Sequence, residues 1–289
     1  MAQPVEARAS AERLGPIGAR HSKMSSKLRV PFGPLAPGEV VLDEASSRYV
    51  ARVHRLGVGA CVLLFDPGTR TEADAKITDL GASPSSRAGA RGVRCSIGEV
   101  RAATAVPTSE VILVQGIGKG DKPEEVVRDA TALGVSRIVF AECARSVVVV
   151  VGDRGAAKRR RWEAVAVQAA RQSGRGDVPI IEGPMSLREA LDGVRAAGHR
   201  LCLAPEGTTT LGQALARRAP GASLAVLIGP EGGFEDAELG SARGAGFALV
   251  SFGALVLRTE TVAVAALGAI LAMSALGPEN ATAASKPEK

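Results

Sequence analysis

The sequence contains few aromatic residues and no clustered cysteines or histidines. Phe, Trp and Tyr make up 3% of the 289 residues, so the core must consist mainly of Ala, Val and Leu. The four cysteines lack the short spacing of zinc ligands, and nothing suggests secretion, so we interpret them as reduced thiols. Three scattered histidines are too few for a metal cluster. We therefore expect no metal site.

Long hydrophobic runs are also missing. The N-terminus lacks an apolar signal core, and the most apolar late stretch, Thr261 to Leu276, is shorter than the roughly 18–20 residues of a membrane span. We expect a buried helix there, and a soluble cytoplasmic protein with no membrane partner. With 46% hydrophobic residues, the chain is long enough for two ordinary domains.

Basic residues are unevenly placed. The formal net charge is +6, and the segment from Arg145 to Arg175 alone holds eight Arg or Lys against Asp153 and Glu163. Such a concentration attracts phosphate better than a diffuse excess does. The alternative is a solvated helix face, which suits a Lys-Arg-Arg-Arg run equally well.

The first part of the chain has a β-rich pattern. Residues 1–26 are polar and are interpreted as a mobile tail, and residues 27–104 as a small β-barrel. Short β-prone runs at 40–42, 49–53 and 60–65 are separated by turn signals such as Asp66-Pro67-Gly68. The Gly- and Ser-rich stretch 81–92 is predicted to be an exposed loop.

Strand and helix patterns alternate in residues 105–278, before a polar tail at 279–289. Asp121 to Glu124 and Ser186 to Glu189 carry helix-start signals, and Trp162, with the apolar positions after it, marks the buried face of a third helix. This alternation predicts an α/β fold with a mainly parallel sheet covered on both faces. The predicted buried strands are 111–115, 137–141, 200–204, 224–228 and 247–251.

Two loops follow predicted strands late in the chain. Gly229-Pro230-Glu231-Gly232-Gly233 separates a buried strand from a helix near Asp236, and Leu257 to Thr261 precedes the long apolar helix. Loops at the carboxyl ends of parallel strands are where such sheets bind ligands. A structural turn, helix capping by Thr259 or Glu260, and a surface ion pair of Arg258 are the alternatives. The spacing fits neither a phosphate loop nor a dinucleotide fingerprint.

Together these loops resemble the ribosomal RNA small subunit methyltransferase E family, of the SPOUT class. Further motifs follow in the family's order, and the resemblance covers about residues 27–276. These motifs are Arg29-Val-Pro-Phe32, Val53-His-Arg-Leu56, Gly59 to Asp66, Lys119-Gly-Asp-Lys122, Leu133-Gly-Val135, Arg145-Ser146, Arg161-Trp162, Gln172-Ser-Gly-Arg175 and Val178-Pro179.

The resemblance implies a PUA-like RNA-binding barrel followed by a SPOUT domain with a C-terminal trefoil knot. It also implies S-adenosyl-L-methionine as cofactor, a homodimer, and a 3-methyluridine product in 16S ribosomal RNA, either naked or in the assembled small subunit. Departures from the family pattern stand at Ala132, Gln168, His54-Arg55, Glu235 and Phe252-Gly-Ala254. None of them removes a loop glycine or Arg258.

Carried over by position, the resemblance gives a set of candidate site residues. Arg258 is the candidate for electrostatic catalysis or orientation, and no residue stands out as a general base. Related 2′-O-ribose or transfer-RNA methyltransferases, and an inactive RNA-binding assembly factor, are the alternatives. The candidate cofactor residues are Leu203, Ala204, Pro205, Gly229, Pro230, Glu231, Gly232, Gly233, Phe252, Gly253, Leu255, Leu257, Arg258, Thr259 and Thr261. The candidate RNA-binding residues are Arg29, Arg55, Lys119, Arg145, Arg159, Arg160, Arg161, Gln172 and Arg175.

Overall fold

A computed structural model describes residues 27–81, 92–146, 153–219, 221–254 and 256–275. The predicted tails, nearly all of the predicted loop at 81–92, and Leu255 lie outside these residues. The described chain forms two β-sheets, and the predicted boundary near residue 104 falls between them.

The first sheet has five strands in the order β1-β3-β4-β5-β2. β1 runs parallel to β3, whereas the remaining pairings are antiparallel. Its apolar core is built mainly from aliphatic side chains, as the composition predicts. The elements are β1 (Leu28–Pro31), β2 (Gly38–Val41), α1 (Glu44–Arg48), a π-helical turn (Tyr49–Val53), β3 (Cys61–Asp66), β4 (Thr71–Asp79) and β5 (Arg94–Ala102).

The strand predicted at residues 49–53 is wrong, because this segment is helical. The Asp43 carboxylate accepts a hydrogen bond from the Ser46 backbone N–H at 2.7 Å and caps α1, which continues directly into the π-helical turn. Leu42, Ser46 and Val50 are buried at intervals of four residues. This spacing is helical, and the β-branched composition concealed it.

The second sheet has seven strands in the order β10-β12-β9-β11-β6-β7-β8. All of its pairings among the described residues are parallel, which confirms the predicted parallel sheet. The strands are β6 (Val111–Gly116), β7 (Arg137–Glu142), β8 (Ile180–Ser186), β9 (His199–Leu203), β10 (Thr209–Thr210), β11 (Leu224–Ile228) and β12 (Ala248–Ser251).

Helices cover both faces of this sheet. Successive residues of β6, such as Leu113 and Val114, enter apolar clusters on opposite faces of the sheet. Helices α2, α3, α5 and α7 cover one face, and α4 and α6 cover the other. The helices are α2 (Lys122–Ala132), α3 (Asp153–Ser173), α4 (Leu187–Asp192), α5 (Leu211–Ala216), α6 (Asp236–Gly244) and α7 (Thr259–Ala275).

Local signals set several helix ends. Ser186 and Glu189 form the predicted capping box of α4. Asp121 precedes α2 as predicted, but its carboxylate bonds Arg161 instead of capping the helix. Strand β8 was not predicted, because Gly183-Pro184 interrupts its pattern. The chain is irregular there: Gly183 has φ +90°, and a Cβ would lie 2.4 Å from the Phe140 carbonyl oxygen.

Helix α7 spans 17 residues. Within the described parts of the chain, no helix is both long enough and apolar enough to cross a membrane.

Candidate active site

An open cleft of about 860 Å³ lies where β9, β11 and β12 end. It contains the predicted cofactor residues except two: Leu255 lies outside the described residues, and Thr261 is exposed on α7 outside the lining. Sequence reasoning did not select Ile228, Leu239, Val250 and Val262, because apolar residues of strands and helices resemble ordinary core residues. The lining is Lys122, Arg145, Leu203, Ala204, Pro205, Glu206, Ile228, Gly229, Pro230, Glu231, Gly232, Gly233, Phe234, Leu239, Val250, Phe252, Gly253, Ala254, Val256, Leu257, Arg258, Thr259 and Val262.

The glycines of the 229–233 loop allow close approach of neighbouring groups. A Cβ on Gly232 would lie 2.8 Å from the Arg145 Cβ, and one on Gly229 would lie 3.2 Å from the Phe234 ring. Gly233 has φ +70°, where L side chains are strained, and its N–H closes a turn on the Pro230 carbonyl at 2.9 Å. The loop therefore presents backbone groups to the cleft.

A buried hydrogen-bonded clamp joins the two loops recognised in the sequence. The Thr259 hydroxyl donates to the Gly229 carbonyl oxygen at 2.6 Å. The Gln115 amide donates to the Thr259 Oγ1 at 2.9 Å and also reaches the Gly229 carbonyl at 3.4 Å. Thr259 thus bridges the loops at the start of α7. Sequence reasoning missed Gln115, although a lone polar residue in an otherwise apolar strand is a signal that it has a buried hydrogen-bond partner.

A charged network closes one side of the cleft. Lys122 Nζ lies 3.1 Å from Glu231 Oε1 and 3.3 Å from Glu260 Oε2, and the Lys119 backbone N–H donates to Glu231 at 3.0 Å. Desolvation by itself would raise the pKa of Glu231, but these hydrogen bonds and Lys122 outweigh it and lower that pKa. The hydrogen bond to Glu231 in turn raises the pKa of Lys122. The pair is therefore charged near neutral pH.

Two arginines also line the cleft. Arg145, predicted to bind RNA, donates to the Gly232 carbonyl at 2.9 Å and lies 3.9 Å from Glu235, so it holds the glycine loop. Arg258 is exposed and forms no ion pair with any other described residue. Its cationic group therefore has no protein counterion there to neutralise it.

The remaining predicted RNA residues divide into exposed and buried groups. Arg55, Lys119, Arg159, Arg160, Arg161 and Gln172 are exposed. Two members of the basic run already have partners: Arg159 lies 3.6 Å from Glu163, and Arg161 pairs with Asp121 and Glu124 at 3.0 and 2.9 Å.

Arg175 is buried and Arg29 is half-buried, and both contact other groups of the protein, so their predicted role as RNA contacts stays a prediction. Arg175 is 4% exposed and donates to the Thr131 and Val135 carbonyls and to Asp177, at 2.8 to 2.9 Å. Arg29 of β1 donates to the Arg175 carbonyl at 2.9 Å, and so joins the first sheet to the segment between α3 and β8. Both guanidinium groups therefore already donate hydrogen bonds to other groups of the protein.

No group of three or more His, Cys, Asp or Glu side chains within the described ranges is arranged to hold a metal ion.

Comparison with known proteins assigns the chain to a family. Residues 105–271 match the family described as RNA methyltransferase domain. The ribosomal RNA small subunit methyltransferase E of Mycobacterium tuberculosis (strain CDC 1551 / Oshkosh) is 36% identical over 164 residues. That alignment covers 55% of this chain and 62% of the relative, so it spans less than two thirds of the relative's length.

Two solved structures match more of the chain. The ribosomal RNA small subunit methyltransferase E of Neisseria gonorrhoeae, bound to S-adenosyl methionine, is 27% identical with a TM-score of 0.75. The putative methyltransferase Lpg2936 of Legionella pneumophila, in complex with the same cofactor, is 28% identical with a TM-score of 0.75. Each match covers 86% of this chain and 98% of the other. The chain therefore belongs to the RNA methyltransferase family, alongside the ribosomal RNA small subunit methyltransferases E.

Proposed function

We propose that this protein is an S-adenosylmethionine-dependent methyltransferase that methylates N3 of one uridine in 16S ribosomal RNA. The observation that carries the proposal is the cleft, where the clamp of Gln115, Thr259 and Gly229 joins two loops whose sequence matches the family. The names of the relatives support a small-subunit ribosomal RNA substrate. We therefore also propose a cytoplasmic location.

The cleft fits the cofactor in size and chemistry. Its volume of about 860 Å³ lies within the 300–1,000 Å³ typical of small-molecule sites. The segments 203–205, 229–233, 252–254 and 256–257 would hold the cofactor, with backbone groups for its polar atoms and side chains such as Ile228 and Leu257 for its apolar surface. When bound, the cofactor supplies a methyl group on a sulfonium sulfur.

Arg258 is the residue proposed to act on the uracil. Methylation replaces the N3–H bond by an N3–C bond, so the proton leaves to solvent and negative charge develops on the ring and its oxygens. Lys122 and Arg145 already have protein partners, whereas the Arg258 guanidinium forms no ion pair within the described chain. A cation at this position would stabilise the anion.

The target base must leave its pairing or stack to enter the cleft. Exposed cations, namely Lys119 and the run from Arg159 to Arg161, are proposed to hold the RNA backbone. Arg55, which is exposed in the first sheet's domain, is proposed as a further RNA contact.

Mass spectrometry of ribosomal RNA nucleosides from a deletion strain tests the reaction. We expect 3-methyluridine to disappear from small-subunit RNA and to return with the wild-type gene, but not with Arg258→Ala. The Arg188→Ala variant on α4, on the opposite sheet face from α3, is the matched control and should restore the product. Loss of a 2′-O-methyl nucleoside, or of a transfer-RNA modification, would contradict the proposed product. An unchanged nucleoside profile would contradict catalysis.

A homodimer is proposed to form through the outer face of α7. Val264 and Leu271, seven residues apart and so on one side of this helix, are 39% and 48% exposed, and Val256 beside the cleft is 85% exposed. Apolar side chains grouped in this way mark interaction surfaces. Light scattering should give twice the chain mass for the wild type and one chain mass for Leu271→Glu. A wild-type monomer would contradict this proposal.

We further propose the trefoil knot and the PUA-like barrel that the resemblance implies. The Ala204 N–H donates to the Val250 carbonyl at 2.9 Å, and a Cβ on Gly207 would lie 2.4 Å from the Val250 backbone, so the cofactor loops pack tightly. The five-stranded sheet that packs against one apolar cluster supports the barrel. A crystal structure of the full chain tests both.

A further inference from the structure

A second groove, of about 460 Å³, lies between the two parts of the chain. One wall is the helical segment 44–53, and the other is the outer face of α3. Its floor is mainly apolar, with Val53 and Val167 among the lining residues. It shares no lining residue with the cofactor cleft.

The groove contains a stacked aromatic and cationic pair. The Arg171 guanidinium lies over the ring of Tyr49 at 4.4 Å from its centroid, and the His54 ring meets the Tyr49 ring edge-on at 4.6 Å. Tyr49 is the only tyrosine of the chain. Within the described chain, Arg171 Nε is buried and has no hydrogen-bond partner. A buried donor without an acceptor is unfavourable, so Arg171 is an incompletely satisfied cation among the residues that line the groove.

One face of α3 leads from the groove in the direction of the cofactor cleft and carries a cation at each end. Arg160, Ala164, Val167 and Arg171 follow helical spacing along one face of α3, and Ala164, Val167 and Arg171 line the groove. At about 1.5 Å per residue, Arg160 and Arg171 are separated by roughly 16 Å along the helix. Next to Arg160, Arg161 pairs with Asp121, whose neighbour Lys122 lines the cleft.

The facing wall is basic as well. Arg48 lines the groove, and Arg52 is exposed on the same helical segment. Arg48 pairs with Glu44 at 2.8 Å, and Glu163 also lines the groove. The lining still holds two cations, Arg48 and Arg171, against one carboxylate, which favours an anionic ligand over an apolar protein segment. A π-face next to a guanidinium is the arrangement on which unpaired nucleobases stack.

We propose that this groove binds one unpaired base of the RNA substrate, with the base extending the Arg171–Tyr49 stack. The adjoining phosphates contact Arg48 and Arg171. This inference rests on the RNA substrate proposed above. The groove thereby holds the RNA at a second point, along α3 from the cleft, and sets which nucleotide reaches the cofactor.

Fluorescence anisotropy with a labelled, single-stranded, uridine-rich oligonucleotide tests the proposal. Arg171→Gln and Tyr49→Leu should each weaken RNA binding roughly tenfold, because stacking of one base is lost. Tyr49→Phe keeps the ring and Arg188→Gln removes a cation elsewhere, so both should bind as the wild type does. Thermal melting checks the fold, with Arg171→Lys as a second variant if Arg171→Gln unfolds. Affinities within twofold of the wild type in the folded variants would overturn the proposal.

Photo-cross-linking with 5-iodouridine RNA separates this proposal from the proposed function. Peptides containing Tyr49 should carry the cross-link, whether or not the protein methylates RNA. Cross-links confined to other regions would overturn the groove while leaving methylation intact. If Tyr49→Leu changes the oligomeric mass and leaves RNA affinity unchanged, the groove is a protein interface and the proposal fails.

Discussion

Removing the Thr259 hydroxyl should lower both the stability of the protein and its affinity for the cofactor. Thr259 is 7% exposed, and its hydroxyl both donates to the Gly229 carbonyl at 2.6 Å and accepts from Gln115 at 2.9 Å. Thr259→Val keeps the side-chain shape but removes both hydrogen bonds. Gly229 then keeps only the longer contact to Gln115, at 3.4 Å, and the Gln115 amide keeps the carbonyls of Gly116 and Gly229.

The expected cost follows from this partial loss. Leaving buried polar groups underpaired costs about 1–3 kcal/mol. For a domain of this size, each kcal/mol lowers the melting temperature by about 2–4 °C. The Gly229 to Gly233 loop also loses its tether, so cofactor affinity should fall with stability.

Two assays measure these effects. Trp162 is the only tryptophan and is 1% exposed, so its fluorescence reports unfolding of the second sheet's domain. Calorimetry gives the affinity for S-adenosylmethionine. Thr78→Val, an exposed position on β4, is the control and should behave as the wild type. Wild-type melting and cofactor affinity for Thr259→Val would refute the clamp.

Three further predictions follow from the charged side chains. Lys122→Met should lower the melting temperature most between about pH 5 and pH 10, because the lowered pKa of Glu231 and the raised pKa of Lys122 keep both groups charged there. The difference from the wild type should shrink as pH falls through the Glu231 pKa. A pH-independent difference in melting temperature would contradict the ion pair. Arg175→Met leaves Asp177 buried and unpaired, so unfolding followed by circular dichroism should show a loss of about 3–5 kcal/mol, whereas a small loss would contradict the structural role. Reversing the charges of Arg159 and Arg160 should weaken RNA binding and reduce its salt dependence. The slope of log binding constant against log salt concentration should fall by about one unit per lost phosphate contact. Unchanged binding would assign the run to a solvated helix face.

The parallel sheet and the cofactor loops could be predicted because their signals are local. An apolar run such as Leu224 to Ile228 followed by glycines indicates a strand end, and strand ends of one parallel sheet meet at one edge. The strand prediction for Tyr49 to Val53 was wrong because it also relied on a local signal. The β-branched residues of this segment favour a strand, whereas the Asp43 cap and burial on one helical face decide the structure.

Buried charges could not be predicted from the sequence. Arg175 lies in a basic segment, yet its partners are carbonyls of Thr131 and Val135 some forty residues earlier in the chain. Net charge describes how many cations exist but not which of them are already satisfied. Gln115 was equally hidden, because its partners, the Gly229 and Thr259 loops, meet only in the folded chain.

Methyl transfer from isotopically labelled S-adenosylmethionine to purified small-subunit ribosomal RNA tests the central claim most directly. Wild-type protein should place the label in 3-methyluridine, and Arg258→Ala should reduce the rate at least ~100-fold while calorimetry shows that it still binds the cofactor. Label in another nucleoside, no transfer by the wild type to RNA or assembled subunits, or a near-normal rate for Arg258→Ala would contradict the account.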